Sequence, residues 1–522
     1  DPQYTINTKT QFSTVENARQ ALMGCYGYMS ADNAYGQAWQ EVTFGYCGFG
    51  WSQTNGSSTD LLVSMDGGID ETINTMAWRG MYKVIGETNA FIANIADSPL
   101  ESADKLPMEA AARFLRALAY YNLAVTYGDV PLKTTPSAHD GVAVPRSPKN
   151  EVFELVRTDW EFAYENLPEK DDDGFATKWA AKAYLGKLYH TLGCQGDNTA
   201  WEKAKACFDE VMPKYRLADK FSDLFVDYVQ GSPESIFQLN FALAGSTTRN
   251  RGSWLVAPNG SCNGQAWDRI RASKALYDYF LATYPGDPRI ESTFLTYWKS
   301  YAGVGKGEKP KEEPIASARD TVYAYPYFTY TIEGEEKPAG WKKPKLYVGR
   351  IPYEKLADPA SPKAEELYAM IADTATATPA EKGYLKGLLS LLENATKKPS
   401  TNTKSWPYFK KPWDPEQSGN NSHKNLILYR YADMLLMAAD VYNELGQTDK
   451  AITFANEVLK RARQSGNASQ PADWKSGLSK EQVREKIYFE RIFEGAGEPE
   501  MYQKMRLRGT ELLKKAFEVN NG

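Results

Sequence analysis

The sequence is poor in the residues that build metal sites and disulfide frameworks. Its 522 residues include three histidines, His139, His190 and His423, and no His-Glu-x-x-His or similar metal pattern joins them. The five cysteines are odd in number and irregularly spaced, which fits neither a disulfide framework nor a zinc site with paired short spacings. We therefore expect buried thiols, and the sequence predicts neither a bound metal nor another cofactor.

The sequence also has neither a large net charge nor a long apolar run. The formal net charge is −5, which gives no reason to expect nucleic acid or an anionic membrane as a partner. No run approaches the ~18 apolar residues that are needed to span a bilayer. The chain begins at Asp1 without a methionine or a signal peptide, as expected of a mature or trimmed product. With 24% charged and 42% hydrophobic residues, it has the composition of a soluble globular protein.

Aromatic residues are abundant by contrast, at 13% of the chain, with 33 Tyr, 21 Phe and 13 Trp. An aromatic ring is a suitable platform for a sugar because the C–H face of a pyranose is apolar, whereas its hydroxyls point sideways. Large helical cores also contain many Tyr and Phe. The abundance therefore leaves two interpretations open, a carbohydrate-binding surface and an aromatic core.

Four segments share one helical pattern, with apolar residues at positions i, i+4, i+7 and i+11. This spacing places one apolar stripe on one helix face, as a packed helix requires. The segments are 114–125, 156–167, 181–192 and 431–442. The pattern predicts helix–turn–helix units like those of tetratricopeptide repeats, with an imperfect and interrupted period of about 34 residues.

Two of these helices are predicted to end at a Leu-Gly pair, where Gly193 and Gly446 suit the left-handed C-terminal cap. The helix after each cap carries small residues that allow close packing on the first helix, namely Ala204 and Cys207 in one case and Ala451 and Ala455 in the other. The units fall into two groups, 105–215 and 425–465. A solenoid built from both groups has to bring distant parts of the chain together around the segment between them.

The segment from about 230 to 425 differs, because it is rich in Gly, Pro, Lys and aromatics and has few long periodic stretches. Within it, 321–332 (TVYAYPYFTYTI) is predicted to form a strand or a hairpin, since β-branched and aromatic residues dominate it. The stretch 39–70 is likewise loop-like, and its piece 44–51 interleaves four aromatics with three glycines. Binding surfaces are commonly built from irregular segments on a rigid scaffold, so both regions are candidates for a ligand face.

Six stretches of the chain match recurring motifs and keep one order along the sequence. They are 17–30 (NARQALMGCYGYMS), 78–92 (WRGMYKVIGETNAFI), 113–132 (RFLRALAYYNLAVTYGDVPL), Asp287-Pro288-Arg289, 429–446 (YRYADMLLMAADVYNELG) and 487–494 (IYFERIFE). On these motifs the chain resembles the SusD/RagB family of Bacteroidetes nutrient-uptake lipoproteins. The resemblance extends over the whole chain.

The chain departs from the family pattern at two places. Asp440 stands where the fifth motif usually has a glutamate. The stretch 496–508 (AGEPEMYQKMRLR) lacks the Arg and the Asp of the usual E-G-x-R-x-x-D-L-x-R pattern. The second departure leaves the predicted fold unchanged but removes the residues of a buried ion pair expected near the C terminus.

The resemblance implies a mostly α fold with a tetratricopeptide-like helical-hairpin scaffold, a large irregular region and a little β structure. It implies one SusD-like domain over 1–522, with the scaffold at roughly 75–215 and 425–515. The ligand-facing region is expected at roughly 230–425 together with the loop 39–70. Members of the family are non-catalytic and are tethered to the cell surface of the outer membrane by an N-terminal lipid, absent from this chain. They close over a SusC-like TonB-dependent transporter and capture oligosaccharides, or peptides in some relatives.

Ligand residues of the family tend to come from the loop before the W-x-x-x-Y helix and from loops in the central region. On that basis we expect ligand contacts from eight residues: Trp51, Asp60 and Trp78 in the first part, and Trp254, Asn263, Trp267, Arg269 and Trp298 in the centre. Trp78 has a second interpretation as a core residue, and Asp60 as a helix cap or surface charge. Trp341, Trp406 and Trp413 lie near prolines and are expected to pack the irregular layer.

Three alternatives remain open. Asp66, Asp70 and Glu71 could chelate calcium, but their spacing is irregular and a solvated acidic turn is the simpler interpretation. A helical glycoside hydrolase would need two carboxylates ~5–10 Å apart at the scissile bond, and no segment pairs acids with aromatics in that way. A peptide-binding helical adaptor would carry its ligand on concave helical faces and not on the central aromatic loops.

Overall fold

The computed structural model describes residues 11–52, 62, 72–136, 144–171, 174–226, 232–241, 250–299, 321–330, 349–352, 406–417 and 419–521. Within them the chain forms fifteen α-helices and twelve short strands. A mostly helical fold with a little β structure was expected from the sequence, and the structure confirms it.

The helices divide into a scaffold from both ends of the chain and a few short helices in the middle. In chain order they are α1 (Val15–Met29), α2 (Ala38–Gly45), α3 (Thr72–Ala96), α4 (Ser102–Tyr127), α5 (Lys149–Asn166), α6 (Lys178–Cys194), α7 (Ala200–Val211), α8 (Gly252–Val256), α9 (Lys274–Thr283), α10 (Pro288–Thr293), α11 (Tyr431–Glu444), α12 (Thr448–Gln464), α13 (Lys480–Gly495), α14 (Met501–Leu507) and α15 (Thr510–Asn521). Side-chain caps fix several starts. Thr177 accepts a bond from the N–H of Ala180 at 3.2 Å, and Ser479 forms a reciprocal capping box with Gln482.

Neighbouring scaffold helices pack in the order α3, α4, α5, α6 and α7, after which the row continues with α11 and α12. Two side-chain bonds join the halves: His190 Nε2 lies 2.9 Å from Asp440 Oδ2, and the Tyr442 hydroxyl donates to Asp209 at 2.6 Å. Helices α11 and α12, from the C-terminal part of the chain, therefore continue the row of packed helices α3 to α7 from its N-terminal part. This agrees with the prediction that the two helical groups meet around the central segment.

One predicted helix end is confirmed and the other is wrong. Gly446 follows the end of α11 with φ at 78°, the left-handed conformation of a C-terminal cap. Gly193, however, lies inside α6, and the left-handed glycine beyond that helix is Gly196, with φ at 104°. Gly193 is required at this position for a steric reason, because a Cβ there would lie 2.6 Å from the ring of Trp201 on α7. The glycine lets the two helices approach closely.

The strands are short and pair two by two, always antiparallel. In chain order they are β1 (Gly50–Trp51), β2 (Val130–Pro131), β3 (Arg146–Ser147), β4 (Ser235–Leu239), β5 (Arg271–Ala272), β6 (Phe294–Leu295), β7 (Tyr297–Lys299), β8 (Thr321–Tyr323), β9 (Tyr327–Tyr330), β10 (Gly349–Pro352), β11 (Tyr408–Phe409) and β12 (Leu426–Arg430). The pairs are β1 with β5, β2 with β3, β4 with β12, β6 with β11, β7 with β8 and β9 with β10.

The strand character predicted for 321–332 is present in β8 and β9. They do not pair with each other as a hairpin, because β8 pairs with β7 and β9 pairs with β10. Most of the central strands and helices pack on the scaffold in one continuous hydrophobic core, which includes Leu255, Ile270 and Phe409. We call the described central segments 250–299 and 406–425, with β1, the irregular layer.

A buried ionic network holds the irregular layer to the scaffold. Arg430, at the end of β12, donates to Glu498 at 2.8 Å, to Glu234 at 2.6 Å and to Glu494 at 3.0 Å. Arg289, at the start of α10, donates to Glu494 at 2.9 Å and pairs with Asp287, Glu490 and Glu494. The further members are Arg461 and Lys411. Three of the six sequence motifs meet here, so their charged residues serve the fold and not a ligand.

The C-terminal departure from the family pattern does not leave the scaffold without ion pairs. Lys504 Nζ lies 3.3 Å from Asp433, and Lys187 pairs with Glu500. Both pairs are almost completely buried. Lys504 and Glu500, two other charged residues of the same stretch, thus form buried ion pairs in place of the expected Arg–Asp pair. The comparison of motifs could not predict these pairs.

Candidate functional site

Two pairs of stacked tryptophans lie in the irregular layer. The indoles of Trp51 and Trp406 are stacked, with ring centroids 4.2 Å apart and 11° between the planes. Strand pairing places Trp51 beside Arg271, and the N–H of Ala272 donates to the carbonyl of Pro407, next to Trp406, at 3.1 Å. Backbone bonds from two distant segments therefore bring these two half-buried indoles together.

Trp254 and Trp267 form the second pair, with centroids 4.2 Å apart and 17° between the planes. The N–H of Trp267 donates to the carbonyl of Trp254 at 2.8 Å, which fixes the two rings side by side. Both indoles pack against the main hydrophobic core, whereas Trp51 and Trp406 belong to none of the hydrophobic clusters formed by the described residues. The two pairs therefore differ in what holds them.

Cationic side chains accompany each tryptophan pair. The Arg269 guanidinium lies 4.1 Å from the Trp267 ring and that of Arg251 lies 5.5 Å from the Trp254 ring. At the other pair, Arg271 lies 5.3 Å from Trp51, and Lys274 Nζ lies 5.1 Å from Trp406. Burial lowers the pKa of Lys274, and the nearby Asp278 carboxylate opposes this effect.

The two pairs lie close together along the chain. Trp267 and Arg271 are four residues apart, which allows at most ~14 Å between their Cα atoms. Arg271 is the cross-strand neighbour of Trp51. The two stacks therefore occupy one region of the irregular layer and could contact one extended ligand.

Three amide oxygens of the same layer are buried without a hydrogen-bond partner among the described residues. They are Asn263 Oδ1, Gln417 Oε1 and Asn421 Oδ1. The backbone around them is well fixed, since Asn263 N–H donates to the Pro415 carbonyl at 2.7 Å. A buried acceptor without a donor is costly, so these oxygens are suited to accept from hydroxyl or N–H groups of a bound molecule.

The structure distributes the eight predicted ligand residues over different places. Five of them lie in the region of the tryptophan pairs, namely Trp51, Trp254, Asn263, Trp267 and Arg269. Trp78 lies on α3, packs against Tyr82 and Tyr127, and lines a separate cleft with Pro131 and Lys133. Asp60 lies outside the described residues, as do Asp66, Asp70, Glu71 and Trp341.

Trp298 is where the structure departs from the prediction of a ligand contact. Its side chain is only 5% exposed and packs in a small hydrophobic cluster with Leu295, Ala324 and Tyr408. The physical reason is strand pairing, because β7 and β8 hold the ring against β11 and its neighbours. Trp298 is therefore a core residue of the irregular layer.

The two described tryptophans that were expected to pack the layer, Trp413 and Trp406, contact different neighbours. Trp413 packs against the same small cluster and donates from Nε1 to Ser261 Oγ at 3.1 Å, as predicted. Trp406 was also expected to pack the layer, and it does so by stacking on Trp51. No pattern in the sequence indicated this pairing, since the two residues are 355 positions apart in the chain.

One cluster of side chains has the composition of a metal site. His190 and Cys194 on α6 and Asp440 on α11 bring their ligand atoms within 4.8 Å of one another. The Arg508 guanidinium already supplies a positive charge there, donating to Cys194 Sγ at 3.5 Å and lying 3.3 Å from Asp440. We assign the cluster to ion pairing between scaffold helices. All five cysteines are free thiols, and burial raises the pKa of Cys47 and Cys262 to about 11.

The architecture defines a class of tetratricopeptide-like helical proteins that carry an irregular layer built from the middle of the chain. The chain belongs to the SusD family, whose model matches residues 233–506. A second family model, described as starch-binding and associating with the outer membrane, matches residues 11–190. Within the described residues, we find no helix that combines the length and apolar composition needed to cross a bilayer.

Known proteins of this kind resemble the chain over nearly its full length. A SusD-like protein P25 of Formosa agariphila is 23% identical, over 95% of this chain and 84% of its own. The crystal structure of a SusD homologue from Bacteroides thetaiotaomicron superposes with a TM-score of 0.73 at 18% identity, over 99% of this chain and 90% of its own. A laminarin-binding SusD-like protein superposes with a TM-score of 0.61 at 20% identity, over 96% and 93%. These structural similarities establish the fold.

Proposed function

We propose that the chain is a non-catalytic cell-surface protein that captures oligo- or polysaccharide and delivers it to a TonB-dependent outer-membrane transporter. Membership of the SusD family supports this function, and one structural neighbour binds laminarin. The description of the matching family as associating with the outer membrane supports the location. A lipid anchor and a SusC-like transporter partner are parts of the same proposal.

The observation that carries the proposal is the stack of Trp51 on Trp406. These two large, half-buried indoles stack on each other and lie outside the hydrophobic clusters formed by the described residues. Tryptophan is enriched at the energetically important positions of binding surfaces. A pyranose ring offers the apolar C–H surface that an indole can contact.

The polar groups near the stacks complement such a ligand. A sugar carries several hydroxyls, each able to donate to one of the amide oxygens of Asn263, Gln417 and Asn421. Each neutral hydrogen bond contributes a net ~0.5–1.5 kcal/mol. Several such bonds together with aromatic contact are needed for useful affinity, which favours an oligosaccharide over a single sugar.

Two carboxylates of the layer are engaged in structural bonds, which supports binding over hydrolysis. Asp268 accepts from Arg271 at 2.7 Å, and Asp414 accepts from Ser422 at 2.8 Å and from the N–H of Glu416 at 3.0 Å. A glycosidase needs one carboxylic acid that can donate a proton and a second carboxylate across the scissile bond. Asp414 is held by hydroxyl and backbone donors that favour its ionised form, so it is poorly suited to the first role. Burial raises the pKa of Asp268, but its carboxylate is engaged in the buried ion pair with Arg271.

The proposal is tested by calorimetric titration of the protein against a panel of polysaccharides and their oligosaccharides, with an assay of each mixture for new reducing ends. We expect binding without cleavage. Replacing Trp51 or Trp406 by alanine is expected to weaken binding tenfold or more, which corresponds to about 1.4 kcal/mol. Trp179→Ala is the matched control, since this half-buried tryptophan lies on the scaffold helix α6.

New reducing ends in the mixtures would contradict the non-catalytic part of the proposal. Silent substitutions at Trp51 and Trp406, with binding lost on changing helical surface residues, would favour a peptide-binding adaptor. Pull-down of a TonB-dependent transporter by the full chain tests the partner separately.

A further inference from the structure

An open depression lies between α3 and the chain at the end of α1. Its volume is about 560 Å³, within the ~300–1,000 Å³ that is typical of ligand-binding clefts. The two segments touch where Gly80 meets Asn33, since a Cβ at Gly80 would lie 1.9 Å from the Asn33 carbonyl oxygen. Arg79 and Asp32 are each one residue away from this contact, and both line the depression.

Arg79 supplies donors to the depression. It is exposed, and among the described residues it has no partner in an ion pair, hydrogen bond or ring contact. Lys83, one turn further along α3, differs because its ammonium lies 2.6 Å from Glu87 and 4.8 Å from the centre of the Tyr28 ring. Of these two cations, Arg79 is therefore the one whose N–H groups are open to a bound molecule.

Asp32 and Asn33 supply acceptors from the other segment. Asp32 Oδ2 pairs with Arg251 at 3.0 Å, whereas Oδ1 has no donor within the described part of the chain. The Asp32 side chain is 35% exposed. Asn33 adds an amide, which both donates and accepts. Neighbouring hydroxyls of a sugar need such a mixture, because each hydroxyl can donate and accept, whereas an anion would be repelled by the Asp32 carboxylate.

Tyr28 adds an aromatic surface to the same depression. The residue is 37% exposed, so part of its side chain is open to a ligand although the Lys83 ammonium lies near the ring. The C–H face of a pyranose is apolar and fits against such a ring. The depression therefore combines an aromatic surface with polar groups, as the region of the tryptophan pairs does.

The depression borders the Trp254–Trp267 pair. The Arg251 guanidinium lies 5.5 Å from the centre of the Trp254 ring and pairs with Asp32 on its other side at 3.0 Å. One side chain thus spans the gap between the indole and the carboxylate. An oligosaccharide that contacts Trp254 has the depression beside it.

We propose that this depression is a second sugar subsite, in which Arg79 and Asp32 hydrogen-bond to neighbouring hydroxyls of the glycan that contacts the tryptophan pairs. This inference rests on the proposed function and extends its site from the irregular layer to α1 and α3. Hydrogen bonds to charged groups are stronger than those between neutral groups. The subsite therefore raises the affinity for chains that are long enough to reach it.

The first experiment titrates the natural chain with disaccharides and hexasaccharides of the neutral cello-, laminari-, malto- and xylo- series. Hexagalacturonate is added as an anionic member, and an array of other glycans widens the search. In a series that binds, we expect the hexasaccharide to bind at least tenfold more tightly than the disaccharide. Only the longer chain can occupy the tryptophan pairs and the depression together.

The second experiment repeats these titrations with Arg79→Gln, Arg79→Lys and the matched control Arg216→Gln. Arg216 is an exposed arginine that follows α7, so its replacement changes the net charge equally. We expect Arg79→Gln to lose at least fivefold in affinity for the neutral hexasaccharide and nothing for the disaccharide. Arg79→Lys should keep part of the affinity, and Arg216→Gln should have no effect. Thermal unfolding of Arg79→Gln should match that of the natural chain, because Arg79 has no partner to lose among the described residues.

The outcomes separate this inference from the proposed function. Arg79→Gln without effect at either length, with Trp51→Ala weakening both, would overturn the second subsite and leave glycan capture intact. If no glycan binds to the natural chain, the proposed function and this inference both fail.

Three further results would overturn the subsite alone. Equal losses in Arg79→Gln and Arg216→Gln would reveal an effect of net charge. Equal losses for the disaccharide and the hexasaccharide would show that Arg79 acts at the tryptophan pairs and not at a separate place. A loss confined to hexagalacturonate would show that Arg79 binds an acidic group and not hydroxyls.

Discussion

Gly193 shows at the scale of one residue how this scaffold depends on close helix approach. Its Cα faces the ring of Trp201, at a distance where an added methyl group would lie 2.6 Å from ring atoms. We expect Gly193→Ala to lower the free energy of unfolding by about 1–3 kcal/mol, because overpacking outweighs the gain in helix propensity. Urea unfolding followed by circular dichroism measures the change.

Gly24 provides the matched control for this substitution. It lies inside α1, and an added Cβ would meet nothing within 4 Å. Gly24→Ala is expected to be neutral or to raise stability by about 0.5–1 kcal/mol. Equal effects of both changes would contradict the packing role of Gly193.

The tryptophans illustrate how far site residues could be predicted one by one. A glycine-rich loop marked Trp51 as a ligand candidate, and that stays a prediction supported by its half-buried stack. Burial of Trp298 and the pairing of Trp406 could not be foreseen, because each depends on a partner that only the folded chain brings near. Residue type predicts a chemical capacity, whereas exposure is a property of the fold.

At the scale of helices, Asp440 joins the two halves of the scaffold. It accepts from His190 at 2.9 Å and lies 3.3 Å from the Arg508 guanidinium, almost completely buried. Asp440→Ala removes one of the two carboxylates that pair with Arg508, the other being Glu444, so we expect a loss of about 1.5–3 kcal/mol in unfolding free energy. Chemical denaturation measures it, with the exposed Asp449→Ala on α12 as control. A loss below about 1 kcal/mol would show that the pair does not join the halves.

The same helices explain why the scaffold was predictable. Apolar stripes at helical spacing in 114–125 and 431–442 come from local sequence, and the structure has α4 and α11 there. The end of α6 was misplaced because glycine can serve either as a left-handed cap or as a gap for a neighbouring ring. Strand partners of β8 and β9 were unpredictable for a related reason, since short strands pair with segments distant in sequence.

For the whole molecule, the buried ionic network couples folding to pH. The Arg430 and Lys411 cations hold the pKa of Glu498 at about 2, against burial, which acts to raise it from the ordinary 4.5. Burial lowers the pKa of Lys411 from 10.5 to about 8. The two groups act at opposite ends of the pH scale. Glu498 stabilises the fold at every pH at which its carboxylate is ionised. The free-energy cost of burying the Lys411 charge decreases as the pH rises from 8 to 10.5.

The acid limb of this dependence gives the last prediction. A carboxylate with a lowered folded pKa contributes stability above pH 4.5 that is lost as pH falls towards 2, and the difference corresponds to about 3 kcal/mol. We therefore expect Glu498→Gln to be less stable than the natural chain at pH 6, with the gap closing near pH 2. Urea unfolding at a series of pH values measures the gap, with the exposed Glu511→Gln as control. A gap that does not change with pH would show that Glu498 acts by packing, because only a charge interaction disappears on protonation.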